Sequence, residues 1–331
     1  MTMVRRSLLI TSSMLLAAPC STFSQTTNKV WRIGFLAVRA VPPSPSPDPL
    51  YMAFFRDLQE LGYVEGKNLE MVWRSSDGKN ERLPQLAVDL VQMKLDVIVV
   101  IGSTPLRAAQ QATATVPIVF VAVGDPVALG FVASLAKPGK NTTGVSIQST
   151  DLSIKSLEFL GAVVPKLSRV AVLLNPTNPG ALGVLTQIQI AAKPANISVS
   201  AFEAESESQI DAAFTAFART RPDALIVGPD PFFTGRARLI AELAARNRLP
   251  AIYSFNPYPE AGGLMSYGEN VTAHFRRGAR VVDRVLKGTK PVDLPVEQPT
   301  RLELVLNMKT ARALGLKIPQ SMLLRVDRMI E

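Results

Sequence analysis

The feature that most restricts the fold is a pair of short apolar runs, Asp96 to Ile101 (DVIVVI) and Ile118 to Val123 (IVFVAV), each ending in an abrupt polar break. After its first residue the earlier run is apolar on both alternating faces, the mark of a parallel strand covered by helices on either side. It passes into Gly102-Ser103-Thr104-Pro105 and an alanine-rich helix. The later run breaks at Gly124-Asp125-Pro126, and the chain becomes extended again over Thr142 to Ile147. Open α/β sheets bind ligands just beyond the carboxyl ends of such strands. Ser103, Thr104 and Asp125 therefore stand where a ligand would be held.

The same alternation runs through most of the chain. Val30 to Leu36 is a strand followed by a Pro/Ser-rich loop, and Leu50, Phe54, Leu58 and Leu61 then recur at helical spacing. Asn68 to Arg74 reads as a strand, and Asn80 is placed to cap the next helix. After Ile147 the pattern restarts with a helix over Leu152 to Val164 and a buried strand at Arg169 to Leu174, ending in Asn175-Pro176-Thr177-Asn178-Pro179. Further strands are expected at Asn196 to Phe202, Ala224 to Val227 and Pro250 to Phe255, with a polar break at Gly228-Pro229-Asp230-Pro231. A short strand at Gly263 to Gly268, a long helix to Lys287, and a last strand and helix at Leu302 to Leu314 follow. At 331 residues this is long for one compact domain, so two lobes with a cleft between their strand ends are expected.

Composition narrows the chemistry. Apolar residues make up 47% and charged residues 19%, an ordinary globular α/β balance. The net charge is +9, but Lys and Arg are scattered without a basic run or an aromatic-rich motif, so no nucleic-acid partner is expected. One cysteine, Cys20, and one histidine, His274, exclude an internal disulfide and a Cys/His metal cluster. A Ser-His-Asp triad would need His274, which helical spacing places beside Arg277 and Arg280 on an outer polar face. No Gly-x-Gly-x-x-Gly follows a strand and no P-loop motif occurs, so neither a dinucleotide cofactor nor a nucleotide is expected.

The amino terminus reads as an export signal over residues 1–24. Arg5-Arg6 precedes Ser7 to Ala18, an apolar run of about a dozen residues, too short to span a bilayer but suited to a signal-peptide core. The twin arginines fit either a twin-arginine or an ordinary secretory signal. Cleavage falls after Ser24, or, on a lipobox reading of Leu16 to Cys20, at a lipidated Cys20 whose preceding Pro19 departs from that pattern. Both readings put the mature protein in the periplasm.

Several segments carry a resemblance. Gly62-Tyr63-Val64-Glu65-Gly66-Lys67-Asn68, Gly124-Asp125-Pro126-Val127-Ala128-Leu129-Gly130 and Thr143-Gly144-Val145-Ser146 are three of them. Gly228 to Phe233, Gly263-Leu264-Met265-Ser266-Tyr267-Gly268 and Leu302 to Asn307 with Thr310 to Leu316 are the others. In this order and spacing they resemble the ABC-transporter substrate-binding protein family that includes tryptophan- and tyrosine-binding members.

The resemblance implies a type I periplasmic binding protein architecture: two flavodoxin-like or Rossmann-like lobes with parallel sheets, joined by three hinge crossings. These would fall near Gly144, near Gly262, and between Val292 and Thr300. The lobes would then comprise residues 30–144 with 263–291, and 145–262 with 300–331. It also implies one small-molecule ligand, delivery to an ABC permease in the inner membrane, no catalysis and no cofactor. A monomer is expected.

Carried onto this chain, the ligand-holding loops are those bearing Ser103, Thr104, Asp125, Asn175, Asp230 and Tyr267. Tyr253 is a further aromatic at a strand end. The loop after the first strand departs from the family's Ser/Gly-rich pattern; its Arg39 admits an acidic ligand. The ligand class thus stands as an amino acid, an organic acid or an aromatic compound. For Asp125 and Asp230 a purely local role, capping or shaping a turn, stands beside ligand binding. Asn175 has the same pair of readings, and Phe232 and Phe233 are either core or a stacking pair. A periplasmic sensor subunit and a Rossmann-like enzyme are the alternative functions.

Overall fold

The computed structural model describes residues 29–39, 48–147 and 149–331, and the side chains of these apart from 149–151. The segment read as an export signal, with Cys20, and most of the loop after the first strand lie outside the described residues. Two sheets organise the rest.

The first has five strands in the order β2-β1-β3-β4-β5. They are β1 (Trp31–Ala37), β2 (Leu69–Ser75), β3 (Val97–Ile101), β4 (Ile118–Gly124) and β5 (Thr142–Ile147), and every pairing is parallel. All five residues of β3 are buried, as expected of a strand covered on both faces. Helices Leu83–Gln92 and Ser103–Ala112 pack together on one side. Helices Pro49–Glu60 and Val271–Leu286 pack together on the other.

The second sheet comprises β6 (Arg169–Leu174), β7 (Ser198–Glu203), β8 (Ala224–Val227), β9 (Ala251–Tyr253), β10 (Met265–Gly268), β11 (Glu303–Asn307) and β12 (Arg328–Ile330). Its order is β12-β11-β10-β9-β8-β6-β7, parallel except where β11 runs antiparallel to β10. The chain is thus an α/β protein with two parallel-sheet lobes. One buried apolar cluster runs without a break from Leu36 and Ile98 of the first lobe to Leu173, Phe232 and Tyr253 of the second. The lobes are closed on each other.

The lobe boundaries differ from the sequence expectation in two places. Met265–Gly268, expected with the first lobe, pairs with β9 and β11 and so belongs to the second. Gly262 therefore lies inside the second lobe, where its carbonyl accepts a 2.8 Å bond from Thr310 Oγ1; the chain crosses after it, at 269–270. Gly144 also lies away from a crossing. All of β5 to Ile147 is in the first sheet, and a Cβ on Gly144 would come within 2.0 Å of the Phe120 carbonyl oxygen. The glycine is required by close strand approach.

The last crossing agrees better. Residues 291–297 stay on the first lobe, with Thr143 Oγ1 donating to Leu294 O at 2.7 Å and Glu297 N donating to Gly144 O at 2.9 Å. The chain joins the second sheet at Glu303.

A further correction concerns His274. It is fully buried rather than on the outer face, with Nε2 3.0 Å from Glu269 Oε2. The helix Val271–Leu286 is covered over more than a single stripe, burying Val271, His274, Gly278 and Val281 beside Phe275, Ala279 and Val282. Burial holds the His274 imidazole below its ordinary range, against the opposing pull of Glu269.

Candidate functional site

A cavity lies between the lobes at the carboxyl ends of their strands. It encloses about 770 Å³ of space, counting what opens to solvent. Its walls are mostly apolar: Leu50, Ile101, Ala122, Ile147, Phe255, Val271 and Phe275 on one side, with Leu174, Ala181 and Val184 facing them. The polar lining is sparse and comprises Arg39, Ser103, Asn175, Asn178, Asp230 and Thr234.

Ser103 opens the helix Ser103–Ala112 directly after β3. Gly102 makes the turn with φ +86°, and a Cβ there would come within 2.5 Å of Pro231 of the other lobe. Glycine alone permits both the left-handed backbone and the approach. The N–H groups of a helix's first turn have no partner within the helix, and they carry the positive end of its dipole. Ser103 is 5% exposed, lines the cavity, and makes no side-chain hydrogen bond among the described residues.

At the next strand end, a register shift between Val121 and Val123 breaks the pairing of β4 with β5. Ala122 there has φ +57° and lines the cavity. Bulges of this kind re-aim side chains beside binding sites.

The second lobe's corner is bonded to itself. Asp230 Oδ1 accepts from Asn175 Nδ2 at 3.2 Å and from Phe232 N at 2.9 Å, capping the short helix Pro231–Thr234. Asp230 Oδ2 accepts from Asn178 Nδ2 at 2.9 Å. Asn175 Oδ1 accepts from Thr177 Oγ1 at 2.8 Å and Thr177 N at 3.1 Å. Burial pushes the Asp230 carboxyl above its ordinary range, while Asn178, Asn175 and the backbone N–H groups of Phe232 and Phe233 pull it back.

Two hydrogen bonds tie this corner to the first lobe outside the cavity lining: Asn80 Nδ2 to Thr177 Oγ1 at 2.7 Å, and Thr104 Oγ1 to Thr177 O at 3.3 Å. Asn80, expected as a helix cap, makes no cap bond and reaches across the cleft instead. Arg39 also crosses. Its guanidinium pairs with Asp48, and its side chain lies so close to Gly235 that a Cβ there would come within 3.2 Å of Cγ.

Of the residues singled out from sequence, Arg39, Ser103, Asn175 and Asp230 meet at the cavity. Thr104 sits at the interlobe bond. Asp125, at φ +41°, is in the turn beyond β4, where the lining is supplied by its neighbour Gly124. Tyr253 lies behind the wall, 1% exposed, stacked on Tyr258 with centroids 4.3 Å apart. Tyr267 packs against Phe159 at 4.8 Å.

Sequence reasoning passed over Asn178, although the paired Asn-Pro of Asn175-Pro176-Thr177-Asn178-Pro179 marks it at a strand end. Phe255, Val271 and Phe275 carry no such signal; they read as ordinary core residues.

Comparison with known proteins agrees with this geometry. Residues 36–330 match the family described as ABC transporter substrate binding protein. A tyrosine-binding protein of Clostridioides difficile (strain R20291) is 27% identical over 274 residues, covering 82% of this chain and 78% of that one. The structure of an ABC domain in complex with L-Trp from Streptococcus pneumonia superposes with a TM-score of 0.82 at 25% identity, covering 91% of this chain and all of the other. A conserved domain protein from Vibrio cholerae gives 0.83 at 27% identity, with 91% of this chain and 100% of that one covered. The chain belongs to the ABC transporter substrate binding protein family.

Proposed function

We propose that the protein is an exported solute-binding protein that closes its two lobes over one small molecule and presents it to an ABC permease in the inner membrane, without catalysing a reaction. The observation that carries this reading is the interlobe cavity, apolar in its walls and holding the unpartnered Ser103 at a helix N-terminus. That arrangement suits a ligand with an apolar body and an anionic end. Relatives named for tyrosine and for a complex with L-Trp support a ligand of amino-acid size.

Arg5-Arg6 and the apolar Ser7 to Ala18 support export to the periplasm. No helix among the described residues is long and apolar enough to cross a membrane. Ligand binding rests on Arg39, Ser103 and the walls, and closure on rotation about the three crossings.

A thermal-shift screen of the purified protein against amino acids, organic acids and aromatic compounds tests the reading, because a ligand that binds only the folded state raises the midpoint. At least one solute should raise it in a concentration-dependent way. A screen in which no solute does so removes the proposal.

A further inference from the structure

We infer that the cleft selects an aromatic carboxylate with no ammonium group, the deaminated counterpart of the amino acids for which its relatives are named. The inference rests on the cavity being the solute site, and it follows from which groups there have hydrogen-bonding capacity left.

A zwitterionic amino acid needs two seats, donors for its carboxylate and acceptors for its ammonium. The first seat exists. Helix Ser103–Ala112 is ten residues long, and the N–H groups of Ser103 and Thr104 precede its hydrogen-bonded turns. The Ser103 hydroxyl is unpartnered on a residue that is 5% exposed and faces the cavity. Arg39 lines the same cavity with a guanidinium whose pairing with Asp48 leaves further N–H donors.

Among the described residues, no side chain lining the cavity is free to form the second seat. Asp230 is the only acidic side chain lining the cavity among the described residues. A carboxylate offers about four lone-pair sites. Those of Asp230 take Asn175 Nδ2, Asn178 Nδ2 and the N–H groups of Phe232 and Phe233. Displacing Asn175 Nδ2 or the Phe232 N–H would leave a buried donor unpaired, a costly exchange, while Asn178 Nδ2, half-buried, would keep its 3.2 Å bond to Pro229 O. The neighbouring acceptors are also committed, since Asn175 Oδ1 already takes two bonds from Thr177.

With its charge spread over these donors, and with burial favouring its neutral form, Asp230 opposes a second carboxylate only weakly. The aromatic body has Ile101, Ile147, Val184, Phe255 and Phe275 to lie against.

Titration calorimetry with matched pairs tests this on the purified protein: 3-(4-hydroxyphenyl)propionate against L-tyrosine, indole-3-propionate against L-tryptophan, and 3-phenylpropionate against L-phenylalanine. In at least one pair the acid should bind about tenfold or more tighter than its amino acid. Ser103→Ala should weaken the acid by about tenfold, the worth of a hydrogen bond to a charged group, while leaving the urea midpoint in place.

An amino acid that binds as tightly as its acid, or tighter, overturns the inference and leaves solute capture standing. So does binding of some other class in the wider screen with no response from either member of any pair. Unchanged acid affinity in Ser103→Ala overturns the anion seat. A protein that binds no solute at all overturns the underlying reading, and this inference with it.

Discussion

The two lobes bring unlike edges to one cleft, although both are built by the same strand–helix alternation with polar breaks at the strand ends. At the first lobe's edge Ser103 is buried and unpartnered at an open helix N-terminus. At the second lobe's edge Asp230 and Asn175 spend their hydrogen-bonding groups on Thr177, Asn178, each other and the backbone. Residue type therefore does not separate the binding edge from the structural one. Remaining capacity does: a saturated carboxylate is architecture, and an unpartnered hydroxyl in a cavity is an invitation to a ligand.

Four substitutions or conditions probe this contrast between the lobes. The largest effect should come from Gly144→Val within the first sheet. With the Phe120 backbone 2.0 Å from the first added carbon, β4 and β5 cannot keep their spacing. A loss of about 4 kcal/mol or more is expected by urea unfolding. A small loss would mean the first sheet tolerates separation and that the close approach is incidental.

Asp230→Ala should come next. It removes a helix cap, strands the buried Asn175 amide and takes one of two bonds from the Asn178 amide, costing about 3 kcal/mol, where Ser103→Ala should cost under about 0.5. Equal stability losses in the two variants would erase the distinction drawn between the edges.

The join between the lobes should respond to pH through His274. Its folded-state pKa is lowered, so the unfolded chain takes up the proton first as pH falls through about 6.5. Stability is then fully present above that pH and declines below it, by at most about 1.4 kcal/mol per pH unit. Urea midpoints at pH 7.5 and 5.5 should show the decline in the wild type and a flatter response in His274→Gln. The same slope in both proteins would assign it to other groups.

Asn80→Ala should have the smallest effect. It removes the 2.7 Å bond to Thr177, which links the first lobe to the saturated corner of the second without touching the cavity. A loss of about 1 kcal/mol from the closed state, seen as a larger radius in solution scattering without ligand and several-fold weaker ligand binding, is expected. An unchanged radius would show that the interlobe bonds do not hold the closed form.

Much of the fold was legible because the signals are local. Apolar runs such as Val97 to Ile101 report burial on both faces. Ser103 and Arg39 were legible as strand-end residues for the same reason. The phenols of Tyr253 and Tyr267 were not, because a strand end does not reveal which side a ring takes. Tyr253 is drawn behind the wall by stacking on Tyr258, and Tyr267 by Phe159.

By itself the sequence determined the alternation of strands and helices, the two-lobe class, and the polar character of the strand ends, since each depends on residues within one or two turns of chain. Only the tertiary structure decided that β10 joins the second sheet, that His274 is buried against Glu269, and that Asp230 is saturated by Asn175, 55 positions away. Burial and hydrogen-bond capacity are properties of what a distant segment lays over a side chain. The same carboxylate can therefore be a ligand's partner or a helix's cap without any change in its local sequence.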